Sequence, residues 1–109
     1  MTNSPIYVVA TLTAKPGLGP RLIEAFRVVS PLVHAEPGCG LYAANVDGDT
    51  VVMIEVWGSQ EDLTAHANGA ASKRLNELIA DVVAGPTEIR VLQNVPLGDP
   101  AKGTIPLAR

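Results

Sequence analysis

The chain has 109 residues, 47% hydrophobic and 17% charged, with a formal net charge of -3, which fits one compact domain and no second substantial one. Eight scattered basic residues and an isoelectric point near 5.2 form no cationic stripe, which argues against a nucleic-acid partner. No apolar run approaches the ~20 residues of a membrane helix, and the single cysteine excludes an intrachain disulfide or a cysteine-based zinc cluster.

The opening residues MTNSPIYVV carry no basic leader region and no signal-like cleavage site, so a cytoplasmic location is expected. Ile6 to Thr13 (IYVVATLT) is β-branched, apolar and free of breakers, and predicts a first strand. Lys15-Pro16-Gly17-Leu18-Gly19-Pro20 breaks it. These glycines lack the phosphate-loop fingerprint and any Lys-Ser/Thr pair, so the segment reads as a turn. From Arg21 onward Leu22, Phe26, Val29 and Val33 recur on one helical face, and Pro20 suits the first turn. Pro31 predicts a kink or break near Val29–Ser30.

Glu36-Pro37-Gly38 ends that helix. Cys39 to Val46 and Val51 to Trp57 read as the second and third strands. Between them Asp47-Gly48 is a hairpin signal, whose favoured turn needs positive φ at both central residues. Ser59 followed by Asp62 resembles a capping box, so a short helix is expected from Gln60 to about Asn68, with Gly69 as its stop. Leu75, Leu78, Ile79 and Val82 mark another amphipathic helix, ended by Gly85-Pro86. Thr87 to Asn94 (TEIRVLQN) predicts a last strand. Residues 1–95 form the expected domain. Residues 96–109, rich in proline and glycine, read as a tail, either extended or disordered or draped on a partner.

The order β-α-β-β-α-β, with the second helix split, predicts an α+β fold of the ferredoxin-like kind, one antiparallel sheet with helices on one face. Alternation along the third strand separates Val52, Ile54 and Val56 from Val51, Met53, Glu55 and Trp57. The first set is purely aliphatic and is expected to face the helices. The second would then leave an apolar face wet, and pairing two such faces predicts a symmetric homodimer.

Glu55, Trp57 and His66 are the leading candidates for chemistry. Trp57 offers a flat surface for a planar ligand and one N–H donor. His66, about two turns into the following helix, can move a proton near neutral pH. Glu55 lies on a half-apolar strand face, where a carboxylate cannot stay buried and ionised without a partner. It is either a base with a raised pKa or half of an ion pair with an arginine of its own or of a partner subunit, Arg90 being the candidate. Tyr42 and Tyr7 carry hydroxyls suited to a developing oxyanion. For each of these residues packing is the competing reading. Cys39 has no cation beside it in sequence and reads as a small buried hydrophobe. His34 closes the first helix, where the helix dipole favours a cation. Two histidines exclude a histidine-only metal site, whereas counting alone leaves a mixed His/carboxylate site open.

Glu36-Pro37-Gly38-Cys39 after a helix, Glu55-Val56-Trp57 at a strand end, Leu63 and His66 in the next helix and Gly85-Pro86 before the last strand form a pattern. It resembles the antibiotic biosynthesis monooxygenase (ABM) domain family of the dimeric α+β barrel superfamily, over roughly Ile6 to Val95. The resemblance implies a homodimer whose sheets close into a barrel, each subunit holding a cavity between sheet and helices. It implies a small-molecule substrate, and oxygenation without a metal or cofactor, in which the protein supplies a base, oxyanion donors and a dry pocket. Trp57 matches the strand-end tryptophan of polyketide-oxidising members, but Met53 stands where they carry an asparagine four residues earlier. The first strand lacks the asparagine of haem-degrading members, so haem is not expected. His66 matches a histidine common at this helix position among less characterised members. The resulting expectation is a monooxygenase of a quinol or polyketide-like aromatic. His66, Trp57 and Glu55 would be catalytic, and Tyr42, Met53 and Tyr7 would contact the substrate. The alternatives are an isomerase of a small enolisable ketone and a non-catalytic small-molecule-binding dimer.

Overall fold

The computed structural model describes residues 4–106; residues 1–3 and 107–109, the latter the end of the expected tail, lie outside the described residues. Among the described residues the chain runs β1 (Ile6–Thr13), α1 (Gly19–His34), β2 (Cys39–Asp47), β3 (Thr50–Trp57), α2 (Gln60–Ala67), α3 (Ala70–Ile79) and β4 (Glu88–Leu92). This is the predicted α+β order. The four strands form one antiparallel sheet in the order β2-β3-β1-β4.

α1 begins with Pro20 in its first turn, where a missing N–H costs nothing. Of the kink or break expected near Val29–Ser30, the break does not occur: α1 runs continuously through Pro31. Pro31 lies one turn from the helix end, and Leu22, Phe26, Val29 and Val33 on either side of it are all buried in the core. The ring removes a single hydrogen bond there, which the packing outweighs. After α1, Glu36-Pro37-Gly38-Cys39 forms a tight turn in which Cys39 N–H donates to Glu36 C=O at 3.2 Å. Proline in second place and Gly38 at φ +79° in third are what a type II turn requires. An added Cβ at Gly38 would also meet Cβ of Asp62 at 2.6 Å, so glycine is needed twice over.

The β2–β3 hairpin differs from expectation by one residue. The register pairs Asp47 with Thr50, so the central residues are Gly48 and Asp49, and only Gly48 has positive φ (61°). That is the II′ pattern, which needs glycine in first place only. Freed from the turn's backbone constraint, the Asp49 carboxylate accepts the Gly17 and Gly19 N–H groups, both at 2.9 Å, and so ties the hairpin to the start of α1.

α2 is capped as expected, Ser59 Oγ accepting from Asp62 N–H at 3.1 Å. Val95 to Pro106 turns back along the sheet: Ile105 N–H donates to Asn94 Oδ1 at 2.6 Å and Asn94 Nδ2 donates to Gly103 C=O at 3.3 Å. Among the described residues no helix is long and apolar enough to cross a membrane.

The assignment of sheet faces reverses. Val51, Met53 and Trp57 belong to the core with Leu22, Phe26 and Val29 of α1, and Glu55 is 5% exposed beside them. Val52 and Ile54 look out on the open face, where Ile54 and Leu92 are each 43% exposed. Alternation separates the two sets but is silent on which one meets the helices. The set with the larger side chains won: burying Met53 and Trp57 removes more apolar surface than burying valine and isoleucine, and Glu55 finds a buried donor.

Candidate functional site

A cavity of about 240 Å³ lies between the helix-covered face of the sheet and α2 and α3. Met53 and Glu55 of β3, Tyr42 of β2, Phe26 of α1 and Leu63 and His66 of α2 reach it, with Leu75 and Ile79 of α3 closing the far side. β3 delivers Glu55 because it pairs with Val8 of β1 and Tyr42 of β2, both in register on the same face. Glu55 Oε1 accepts the Trp57 Nε1–H at 2.9 Å. That bond joins two residues on one strand face, two positions apart.

His66 stands in the last turn of α2, and its ring stacks on Trp57 with centroids 4.4 Å apart and planes 26° from parallel. Tyr42 meets the same ring edge-on at 5.6 Å. His66 Nδ1 lies 2.7 Å from Glu36 Oε1, the two side chains being 12% and 21% exposed. With the proton on Nδ1 and donated to this carboxylate, Nε2 is the bare nitrogen. Ser72 Oγ donates to the His66 carbonyl at 2.7 Å and fixes the α2–α3 corner.

Three polar atoms of this cluster have no hydrogen-bond partner among the described residues: His66 Nε2, Tyr42 Oη and the second oxygen of Glu55. Among the described residues no fully buried side-chain nitrogen or oxygen lacks a hydrogen bond, so all three are open to solvent. Their residues all line the cavity. The arrangement thus offers a small molecule one basic nitrogen and two oxygens against largely apolar walls.

Burial raises the Glu55 pKa above its ordinary value of 4.5, opposed by the Trp57 N–H and by His66 and reinforced by Glu36. Burial also pushes the Tyr42 hydroxyl far up, helped by the charges of Glu55 and Glu36, so it stays a donor. The Cys39 thiol is raised by burial and the same two carboxylates, which fits an inert side chain. A consequence for the fold follows from Glu55. A carboxyl that binds its proton more tightly when folded contributes stability that is present at low pH and lost as pH rises from about 4.5 through the raised pKa. Thermal melts should show that fall, and Glu55→Gln should flatten it. Asp49, held low by the Gly17 and Gly19 N–H groups, acts with the opposite sign and only at more acid pH. An unchanged slope in the variant would refute the raised Glu55 pKa.

Several expectations are redrawn by this geometry. Trp57 joins the cluster but is 0% exposed, one face covered by His66, so its ring presents no exposed surface on which a planar ligand could stack. Tyr7 is on the opposite sheet face, its hydroxyl donating to Ile105 C=O at 3.4 Å. It is remote from His66 and from the cavity, because it alternates with Val8. Arg90 pairs with Val9 on that opposite face too, so within one chain it cannot neutralise Glu55. Tyr42 and Met53 do line the cavity. Glu36 escaped notice in the sequence: it reads as the start of a turn, and only the fold brings it 30 positions along the chain to His66. Among the described residues no three His, Cys, Asp or Glu side chains converge as metal ligands would.

A family model described as antibiotic biosynthesis monooxygenase matches residues 5–78. The chain is 33% identical over 102 residues to the Escherichia coli K12 protein named "Probable quinol monooxygenase YgiN", covering 81% of this chain and 96% of that one. Among solved structures it is similar to PA3566 from Pseudomonas aeruginosa, with a TM-score of 0.77, 26% identity, and 87% and 98% of the two chains covered. Rv0793 from Mycobacterium tuberculosis shares the fold with a TM-score of 0.74 at 23% identity, covering 88% and 98%.

Proposed function

The chain belongs to the antibiotic biosynthesis monooxygenase family, and on that premise we propose that it oxygenates a quinol-class aromatic without a resident cofactor, with His66 as the proton acceptor. One observation carries the reading: Glu36 Oε1 lies 2.7 Å from Nδ1 of His66, a cavity-lining side chain, so that with the proton donated to Glu36 the other nitrogen, Nε2, is the basic one. The name of the Escherichia coli relative supports the substrate class. The cavity, about 240 Å³, is below the ~300–1,000 Å³ of sites for drug-sized ligands and suits one or two rings.

In this reading His66 Nε2 takes a phenolic proton, and Glu36 stabilises the imidazolium that forms. The electron-rich quinolate passes an electron to O₂, and the pair combine as a peroxide on a ring carbon that still bears hydrogen. His66 returns its proton to the outer oxygen, giving a hydroperoxide. Loss of water then leaves a carbonyl on that carbon, a tautomer of the hydroxyquinone. One oxygen atom enters the product and the other becomes water. The quinol supplies all four electrons, so no separate reductant is needed. The Tyr42 hydroxyl, kept protonated, is placed to donate to oxyanions along this path.

The open sheet face, with Val9, Val52, Ile54 and Leu92, would be covered by a second copy in the homodimer that belongs to the same reading. A solution mass of one chain, 11.4 kDa, would contradict that pairing. The activity itself is tested by O₂ uptake with one- and two-ring quinols, expecting one O₂ consumed per hydroxyquinone formed. Hydrogen exchange into a small ketone without O₂ uptake would replace this reading with an isomerase. Binding without turnover in either assay would replace it with a small-molecule carrier.

A further inference from the structure

The quinol-oxidising reading uses the base of the cavity but leaves its buried carboxyl idle. Glu55 sits mid-sheet on β3, between Val8 and Tyr42 on the neighbouring strands, with no cation within ion-pairing distance among the described residues. Its Oε1 is pinned by the Trp57 N–H at 2.9 Å, and its second oxygen meets the cavity. The titratable groups around it are Tyr42 and Cys39 of β2, Glu36 of the α1–β2 turn and His66 of α2. From β1 and α1 it is faced by Val8 and Phe26, and from α3 the cavity is lined by the neutral Ser72, Leu75, Asn76 and Ile79. A group that only had to accept the indole N–H could be a glutamine. A carboxyl adds a charge when ionised, for which no ion-pairing cation is present among the described residues, and a transferable proton when neutral.

Resting on that reading, we infer that Glu55 is the acid that splits the O–O bond. As the bond breaks, the departing hydroxide takes the Glu55 proton and leaves as water, while His66 Nε2 removes the hydrogen from the same ring carbon, whose electron pair forms the new C=O bond. The site then holds Glu55 as carboxylate and His66 as imidazolium, and passage of one proton between them restores the starting state. Burial, the largest influence on Glu55, raises its pKa and so favours the proton-bearing form. The two partner-free atoms, Glu55 Oε2 and His66 Nε2, thus divide the work of one elimination, acid on the leaving oxygen and base on carbon. Without an acid, the hydroperoxide has a second exit: loss of hydrogen peroxide, which leaves the parent quinone and also balances.

The test is the partition between these products. With quinol and O₂, wild type should form chiefly hydroxyquinone. Glu55→Gln keeps the acceptor for Trp57 and should still take up O₂, but should release quinone and hydrogen peroxide, raising their ratio to hydroxyquinone by about 10-fold or more. Glu55→Asp should restore part of the coupling. In wild type the peroxide fraction should rise with pH as Glu55 loses its proton, a readout that does not depend on any variant folding. An unchanged partition in Glu55→Gln, or a pH-independent one in wild type, would overturn the assignment while leaving the monooxygenase reading intact. No O₂ uptake by wild type would overturn both.

Discussion

Replacing His66 by alanine is expected to lower kcat/KM for quinol-dependent O₂ uptake by about 10²- to 10⁴-fold, the range of a positioned general base. The nitrogen lost, Nε2, belongs to the histidine that lines the cavity and has no hydrogen-bond partner among the described residues. Its neighbours cannot stand in for it. Glu55 is pushed toward its neutral form by burial, and the Tyr42 hydroxyl is held far above its ordinary pKa. Glu36→Gln should act on the same step through the tautomer: a side-chain amide can donate to Nδ1, which puts the histidine proton on Nε2 and blocks it as a base. Its loss should therefore appear in kcat and in the acid limb of the pH profile more than in KM. Thermal melts of both variants separate this from unfolding. A His66→Ala protein that folds and keeps more than a tenth of wild-type activity would refute the base assignment.

Trp57→Ala should destabilise the fold by about 3–5 kcal/mol, the usual cost of truncating a buried aromatic. The indole is 0% exposed, sits in the core and stacks on His66. Against a total stability of about 5–15 kcal/mol for a domain of this size, that is a large share. At roughly 4–8 °C per kcal/mol, the melting temperature should fall by at least about 10 °C. Trp57→Phe separates packing from polarity. It keeps most of the buried ring but removes the N–H that anchors Glu55 at 2.9 Å, so it should cost far less stability while disturbing product partition in the same direction as Glu55→Gln. A Trp57→Ala melting temperature within about 2 °C of wild type would mean that the indole is not the core residue its burial implies.

Much of the frame is legible before folding. The β-branched run of β1, the 3.6-residue apolar stripe of α1 and the glycine- and proline-marked turns specify type and order of elements, because each signal depends on neighbours within a turn or two. His66, Glu55 and Trp57 were recognisable as unusual for the same reason: a carboxylate and an indole interrupt an aliphatic strand. What that interruption meant was not legible. Both faces of β3 are apolar enough to be a core, and which one the helices cover depends on volume filled across four elements. The break allowed for at Pro31 is absent for a similar reason, since the cost of one lost hydrogen bond is local and the packing that offsets it is not.

The amino-acid order by itself determined an α+β chain with the β-α-β-β-α-β succession, a split second helix and the resemblance to its family, since these rest on local propensity and spacing. Only the tertiary structure decided that the aromatic-bearing face of β3 looks inward, that Glu36 meets His66, that Trp57 is enclosed in the core against His66, and that Tyr7 and Arg90 belong to the opposite face. Those are contacts between residues as far as 98 positions apart. They are set by how the whole core packs, a property that no window of sequence contains.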